Sequence, residues 1–487
     1  MVKLLWLDAL GAPRARALAK AAAAASGGRC STADAVAPLQ AAARAGGAAG
    51  RTALLDEVQD VAEAAGEGAL IVVPDLSPPP RVLPWWPPWS DATLALGLLR
   101  RDAPGLPASA YCARTKLREA AEALRERCGM VARVAIEAEC GGLSAGVDGD
   151  RGVDGDWGAG ALASSSAALE AHWDTLARAS AWMRALGAPL TAVGAAECGV
   201  ARLDGVAMPP LAAADAFVLS REALRAAAAN VKSGAVPSFA RQLTLRISLW
   251  DDRQAAGGAG GDASAAQQRA SVLDRAPRRA GDSMTQRVSR AYGTAGYPLA
   301  DGESSASMVE VELSEAGEGF VAGLLAAAGP LCGVAGPCGA DVDAAYASWG
   351  VRTPGVAVAV RPAAGRIDGS DGVGAAGAGA ADAAAAASVE LRIGRGDCNL
   401  YALVAAALAA GADGVSRGLK LPPPFAKRPC RASAAQRAAA AAHALPATQT
   451  EAAQALERGG CESGQAVREA LGAPLCAAMV AARAAAQ

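Results

Sequence analysis

The hydrophobic pattern of this chain switches between a period of two and a period near 3.6. In VARVAIEAEC (131–140), Val134, Ile136 and Ala138 fall on one face while Glu137 and Glu139 fall on the other, a strand pattern. LTLRISLW (243–250) and VELRI (389–393) alternate in the same way. VKLLWLD at the start and residues 69–73 read as further strands. Helical spacing predicts TKLREAAEALRERC, closed by a Gly129 C-cap, and helices over 168–186 and 211–231. An Ala/Leu-rich helix follows the 389–393 strand and is expected to stop at Gly411. Glu197 and Asp204 bracket CGVARL, which reads as a hairpin returning two acids to one face. Strands and helices interleaved in this way predict an α+β protein.

Composition narrows the function classes. With 487 residues the chain has room for two or more domains. A formal net charge of −2 supplies no field to recruit nucleic acid or an anionic membrane. Eleven cysteines, an odd number with no CxxC pair, fit reduced thiols and a cytoplasmic location. The two histidines, His172 and His443, read as ordinary helix residues and leave little material for a His-rich metal site. No run is long and apolar enough to suggest a transmembrane span, and the opening strand does not read as a signal peptide. The proline-rich PDLSPPPRVLPWWPPWSD excludes helix, and its Trp85, Trp86 and Trp89 are expected to pack at an edge or interface. Low-complexity insertions are expected near 144–165, 253–305 and 363–387. The first contains GVDGDRGVDGDWG, which lacks the ligand order and closing Glu of a calcium loop.

The candidate chemistry lies in carboxylates and arginines. Glu137 and Glu139 form half of a hard cation site, the kind that phosphoryl transfer uses, although a solvated strand face explains such pairs equally simply. Glu390 adds a further acid, and Arg392 shares its strand face at a spacing of roughly 6.6 Å.

The order and flanks of several segments resemble glutamine synthetases of type I along nearly the whole chain. VKLLWLDALGAPRARAL resembles the family's opening strand, VVPDLSPPPRVLPW its Pro-Asp-Leu…Leu-Pro-Trp segment, and AYCARTKLREAAEAL the first catalytic-domain helix. VELRIGRGDCNLYALVAAALAAGADGV resembles the Glu-x-Arg…Asn-x-Tyr stretch, and LPATQTEAAQALERGGCESGQAVREALG the C-terminal helices. The resemblance implies an N-terminal β-grasp domain over 1–105 and a larger α+β catalytic domain over 106–487. It implies ATP-dependent ligation of ammonia or another amine to the γ-carboxylate of glutamate, in a ring-shaped homo-oligomer. Glu139, Glu197 and Asp204 match ligands of one magnesium or manganese ion, and Glu137 and Glu390 match two ligands of the ATP-side ion. Arg392 and Arg361 match active-site arginines.

The resemblance breaks in two places. The family's ATP signature has Lys-Pro, a glycine turn and His-x-His before Ser-Leu, whereas this chain reads SFARQLTLRISLW. Arg241 stands for the lysine and Ser248 keeps the serine, but Thr244 and Arg246 stand where the histidines are expected. The second break is GPCGADVDAAYASWG, which is shorter than the family's active-site flap and lacks its arginine. These losses predict an impaired ligase, or alternatively a catalytically inactive scaffold or sensor on the same fold.

Overall fold

Two sheets organise the chain. In the computed structural model the described residues are 2–7, 13–18, 70–75, 81–86, 93–101, 110–142, 172–197, 200–231, 237–252, 313–338, 342, 344–361 and 387–485. Trp89 and the expected insertions, apart from Ala387, lie outside them.

The first sheet is built around β1 (Val2–Leu7), which pairs antiparallel with β2 (Pro13–Leu18). β3 (Leu70–Pro74) and β4 (Arg81–Val82) each pair antiparallel with β5 (Thr93–Arg101), and β5 runs parallel to β1. Leu5, Leu94, Leu96 and Leu98 are buried in it.

The chain then enters α1 (Ala113–Cys128), which ends at Gly129 in the left-handed conformation, φ 63°. A residue without Cβ adopts that geometry at no steric cost. β6 (Met130–Cys140), α2 (Trp173–Ala185), β7 (Leu190–Glu197), β8 (Val200–Gly205), α3 (Pro210–Asn230) and β9 (Gln242–Asp251) follow. Next come α4 (Glu315–Ala326), α5 (Ala328–Ala335), β10 (Tyr346–Ala347), β11 (Trp349–Val351), β12 (Val358–Arg361), β13 (Ser388–Arg395) and α6 (Leu400–Ser416). The C-terminal part is α7 (Ala434–Ala439), β14 (His443–Ala444), α8 (Gln449–Arg458), α9 (Glu462–Leu471) and α10 (Ala473–Ala485).

Seven strands form the larger sheet in the order β11-β12-β13-β9-β6-β8-β7. Its two faces follow the alternation read in the sequence. Val134, Ile136, Leu243, Leu245, Ile247, Val389, Leu391 and Ile393 are all buried on the face covered by α1, α3 and α5. The opposite face carries the acids and arginines. The hairpin predicted around CGVARL is the β7–β8 pair.

Helix α6 is apolar all round and lies at the centre of the helical layer, against α1, α4 and α9. It does not stop at Gly411, as composition suggested, but continues to Ser416. Gly411 and Gly414 are packing residues instead: a Cβ on Gly411 would fall against the ring of Phe320. A Cβ on Gly319 would lie 2.8 Å from the Gly414 carbonyl oxygen. Glycines from both helices thus allow α4 and α6 to touch backbone to backbone. The histidines are also placed differently from the helical reading, since His172 is the N-cap of α2 and His443 pairs with Ala347 in β14.

A buried ionic joint ties the smaller sheet to the helices. Arg114 on α1 donates to both oxygens of Asp215 on α3, at 2.9 and 2.7 Å, and to Asp75 just after β3. The Tyr401 hydroxyl on α6 donates to Asp215 Oδ1 at 2.8 Å. Burial works to lower the Arg114 pKa, but the hydrogen bond and charge of Asp215 outweigh it and hold the guanidinium more firmly protonated. Trp85 packs against Trp182 of α2 at 5.5 Å between ring centroids, while Trp86 is exposed. Among the described residues no single helix is long and apolar enough to cross a membrane.

Candidate active site

Antiparallel register decides which side chains meet on the polar face. Glu137 lies opposite Asp204 on β8 and Thr244 on β9, and Glu139 lies opposite Arg202. Arg246 lies opposite Glu390, and Arg361 opposite Ser388. Directly paired residues share a face. Glu137, Glu139, Arg202, Asp204, Thr244, Arg246, Glu390 and Arg361 therefore line one side of the sheet. Ala135, Ala192 and Ala359 sit among them, and these small side chains leave room for the long ones.

The charged groups on this face are mutually engaged. Arg202 contacts Glu137 Oε2 and donates to Asp204 Oδ1 at 3.0 Å. Arg246 contacts Glu137 Oε1 through Nη2, and its Nε lies 3.8 Å from Glu390 Oε1. Arg361 also contacts Glu390 Oε1. Arg392 donates to Glu390 Oε2 from Nη2 at 2.6 Å and from Nε at 3.1 Å, and its Nη1 donates to the Thr353 carbonyl at 2.8 Å. Preceding that carbonyl, Arg352 adopts φ 52°, a left-handed geometry costly for a residue with a side chain.

The acids are far more buried than their partners. The side chains of Glu137 and Glu390 are 7% and 1% exposed, against 45% for Arg202 and 39% for Arg361. Burial, followed by the neighbouring Arg361, pushes the Arg246 pKa down, and Glu390 partly restores it.

Residues 299–486 match the family model described as glutamine synthetase, catalytic domain. The fold is also that of a solved structure titled a novel glutamine synthase homolog, with TM-score 0.66 and 20% identity over 99% of this chain and 93% of that one. The fold is glutamine synthetase-like. GmaS bound to ADP has TM-score 0.65 at 17% identity, covering 99% of this chain and 92% of its own. GmaS without ligand gives 0.64 at 18%, with the same coverage. Compared by sequence with curated proteins, the chain has no match.

The expected site residues fall into three groups. Glu137, Asp204, Glu390, Arg361 and Arg392 meet through ion pairs. Glu139 is on the same face at the β8 edge, and the Glu197 backbone pairs with Val200 while its side chain lies outside the described residues. Arg241 directly precedes β9, and Ser248 lies within it, two residues beyond Arg246. The Arg241 carbonyl accepts from Gly396 at 3.0 Å, and the buried Ser248 hydroxyl accepts from the Trp250 indole at 3.1 Å.

Sequence reasoning missed the part played by Arg202 and Arg246. The signal was present in face parity, because Arg202 is two residues from Asp204 and Arg246 two from Thr244. Among the described residues no group of three or more His, Cys, Asp or Glu side chains could hold a metal ion. Between Glu137 and Glu390 the reason is plain: a guanidinium lies where the two carboxylates converge. The residues there do not fit a divalent ion as they stand.

Proposed function

We propose that this glutamine synthetase-like chain is an ATP-dependent ligase joining ammonia, or another amine, to the γ-carboxylate of glutamate through γ-glutamyl phosphate, at a rate well below that of a complete family site. The observation that carries this reading is the Arg392–Glu390 pair on β13 with Arg361 beside it. A phosphoryl group in transfer spreads negative charge over its oxygens, and fixed guanidinium groups stabilise that charge without reorganising. Glu390 holds both arginines in place. Partial exposure of Arg361 leaves it accessible to a substrate oxygen.

Glu139, Glu197 and Asp204 are the residues that would hold a magnesium or manganese ion in this reading. Melting of Glu139→Ala with and without manganese tests that assignment, and an unchanged manganese effect rejects it. A ring-shaped homo-oligomer in the cytoplasm goes with the same proposal, Trp86 being exposed for contact and the described cysteines being free thiols. A clean monomer by light scattering would defeat the assembly.

A second reading, an inactive scaffold or sensor, is favoured by a different observation. Both buried acids are already neutralised by arginine. Hydroxylamine replaces ammonia in the second half-reaction, so γ-glutamyl hydroxamate formation from ATP and glutamate decides between the two. Product formation supports the ligase. No product, together with no nucleotide binding, selects the scaffold.

A further inference from the structure

We propose that Arg246 supplies, from within the chain, the positive charge between Glu137 and Glu390, so that this part of the site takes no divalent ion. Arg246 Nη2 contacts Glu137 Oε1, and its Nε lies 3.8 Å from Glu390 Oε1. Neither of those two oxygens accepts a hydrogen bond, so the neutralising partner each faces is guanidinium charge. The other oxygen of each acid is taken as well, Glu137 Oε2 by Arg202 and Glu390 Oε2 by Arg392.

Charge balance points the same way. Between them the two buried acids, Glu137 and Glu390, meet four arginines, Arg202, Arg246, Arg361 and Arg392. A divalent ion placed between Glu137 and Glu390 would sit against guanidinium charge already there, at carboxylates almost closed to water. Unpaired buried charge is costly, and like charges close together raise that cost. Nor can position 246 act as a ligand. A guanidinium has no lone pair to offer a metal and stays protonated at neutral pH, even with its pKa pushed down by burial.

The inference concerns charge compensation and stands apart from turnover. Manganese bound per full-length chain, counted by electron paramagnetic resonance of the free ion, tests it. The comparison uses the parent, Glu390→Gln, Arg246→Ala and the double variant, with circular dichroism to establish that each is folded. Glu390→Gln is expected to leave manganese binding by the parent unchanged, because any ion held elsewhere cancels in the difference. Arg246→Ala is expected to gain one manganese per chain, and adding Glu390→Gln should remove it. A manganese ion in the parent that Glu390→Gln weakens by about 10-fold or more would overturn the proposal. So would a folded Arg246→Ala that gains none. If Arg246→Ala does not fold, Arg246→Gln removes the charge while keeping a polar side chain, and Glu137→Gln can replace Glu390→Gln in the parent comparison.

Discussion

Two arginine–carboxylate clusters, one around Arg114 and one around Glu390, are built from the same chemistry for opposite ends. Around Arg114, one guanidinium meets Asp75 and Asp215, and all three side chains are at least 92% buried. Arg81 lies close enough to feel Asp215, and burial lowers its pKa. The cluster is closed, and its partners come from α1, α3, α6 and the residue just after β3. Around Glu390 the acids Glu137 and Glu390 are buried but Arg202 and Arg361 are open to solvent. A closed cluster fixes the relative positions of elements. An open one can exchange an internal partner for an oxyanion. Exposure therefore separates structure from chemistry where residue type does not.

The sharpest way to break that distinction is to remove the central cation of the closed cluster. Arg114→Ala removes the guanidinium that both buried aspartates share and should cost about 3–5 kcal/mol in urea unfolding. A loss below about 1 kcal/mol would mean that water reaches the joint. In the open cluster the effect should fall on rate. Arg392→Ala is expected to reduce hydroxamate formation by about 10²–10³-fold. If the rate is unchanged, Arg392 does not touch the reacting phosphoryl group.

Tyr401→Phe sharpens the comparison at smaller scale, because it removes a hydroxyl donor to a charged acceptor. It should cost about 1.5 kcal/mol. Burial, reinforced by the charge of Asp215, raises the Tyr401 pKa well above its usual value. The unfolded chain then loses this proton first, and the tyrosine's contribution to stability declines as pH rises above about 10. Stability measured across that range should fall less steeply in Tyr401→Phe than in the parent. The smallest effect is expected from Arg202→Ala, about 1 kcal/mol or less and reduced further by salt, because Arg202 is half exposed and Glu137 keeps Arg246.

Period-two alternation in 131–140, 243–250 and 389–393 was enough to find the three central strands and to place Glu390 beside Arg392. It worked because one face of this sheet is buried by helices, so a slip of one residue would expose every apolar side chain. The closed joint was illegible for a different reason. Arg114 and Asp215 are 101 residues apart and Asp215 and Tyr401 are 186 apart, so no local pattern joins them. Gly411 failed in a third way. A glycine near the end of an apolar run signals a cap as readily as a helix crossing, and only the partner helix settles which it is. Arg246 lay between these cases, since parity placed it on the right face but the ion pair depended on strand order.

The glycine-lined crossing of α4 and α6 has a consequence for how this alanine-rich chain tolerates mutation. In a scan that changes each glycine to alanine, Gly194 and Gly329 should pass unnoticed, because an added methyl meets nothing closer than 3.8 Å. At Gly319, Gly323, Gly411 and Gly414 the same single carbon would collide with the facing helix. One methyl group, the commonest side chain in this protein, would there force the helices apart. The helix next to β13 would move with them. The sequence thus carries its own ruler: the closest approach of two helices is set where even alanine is too large.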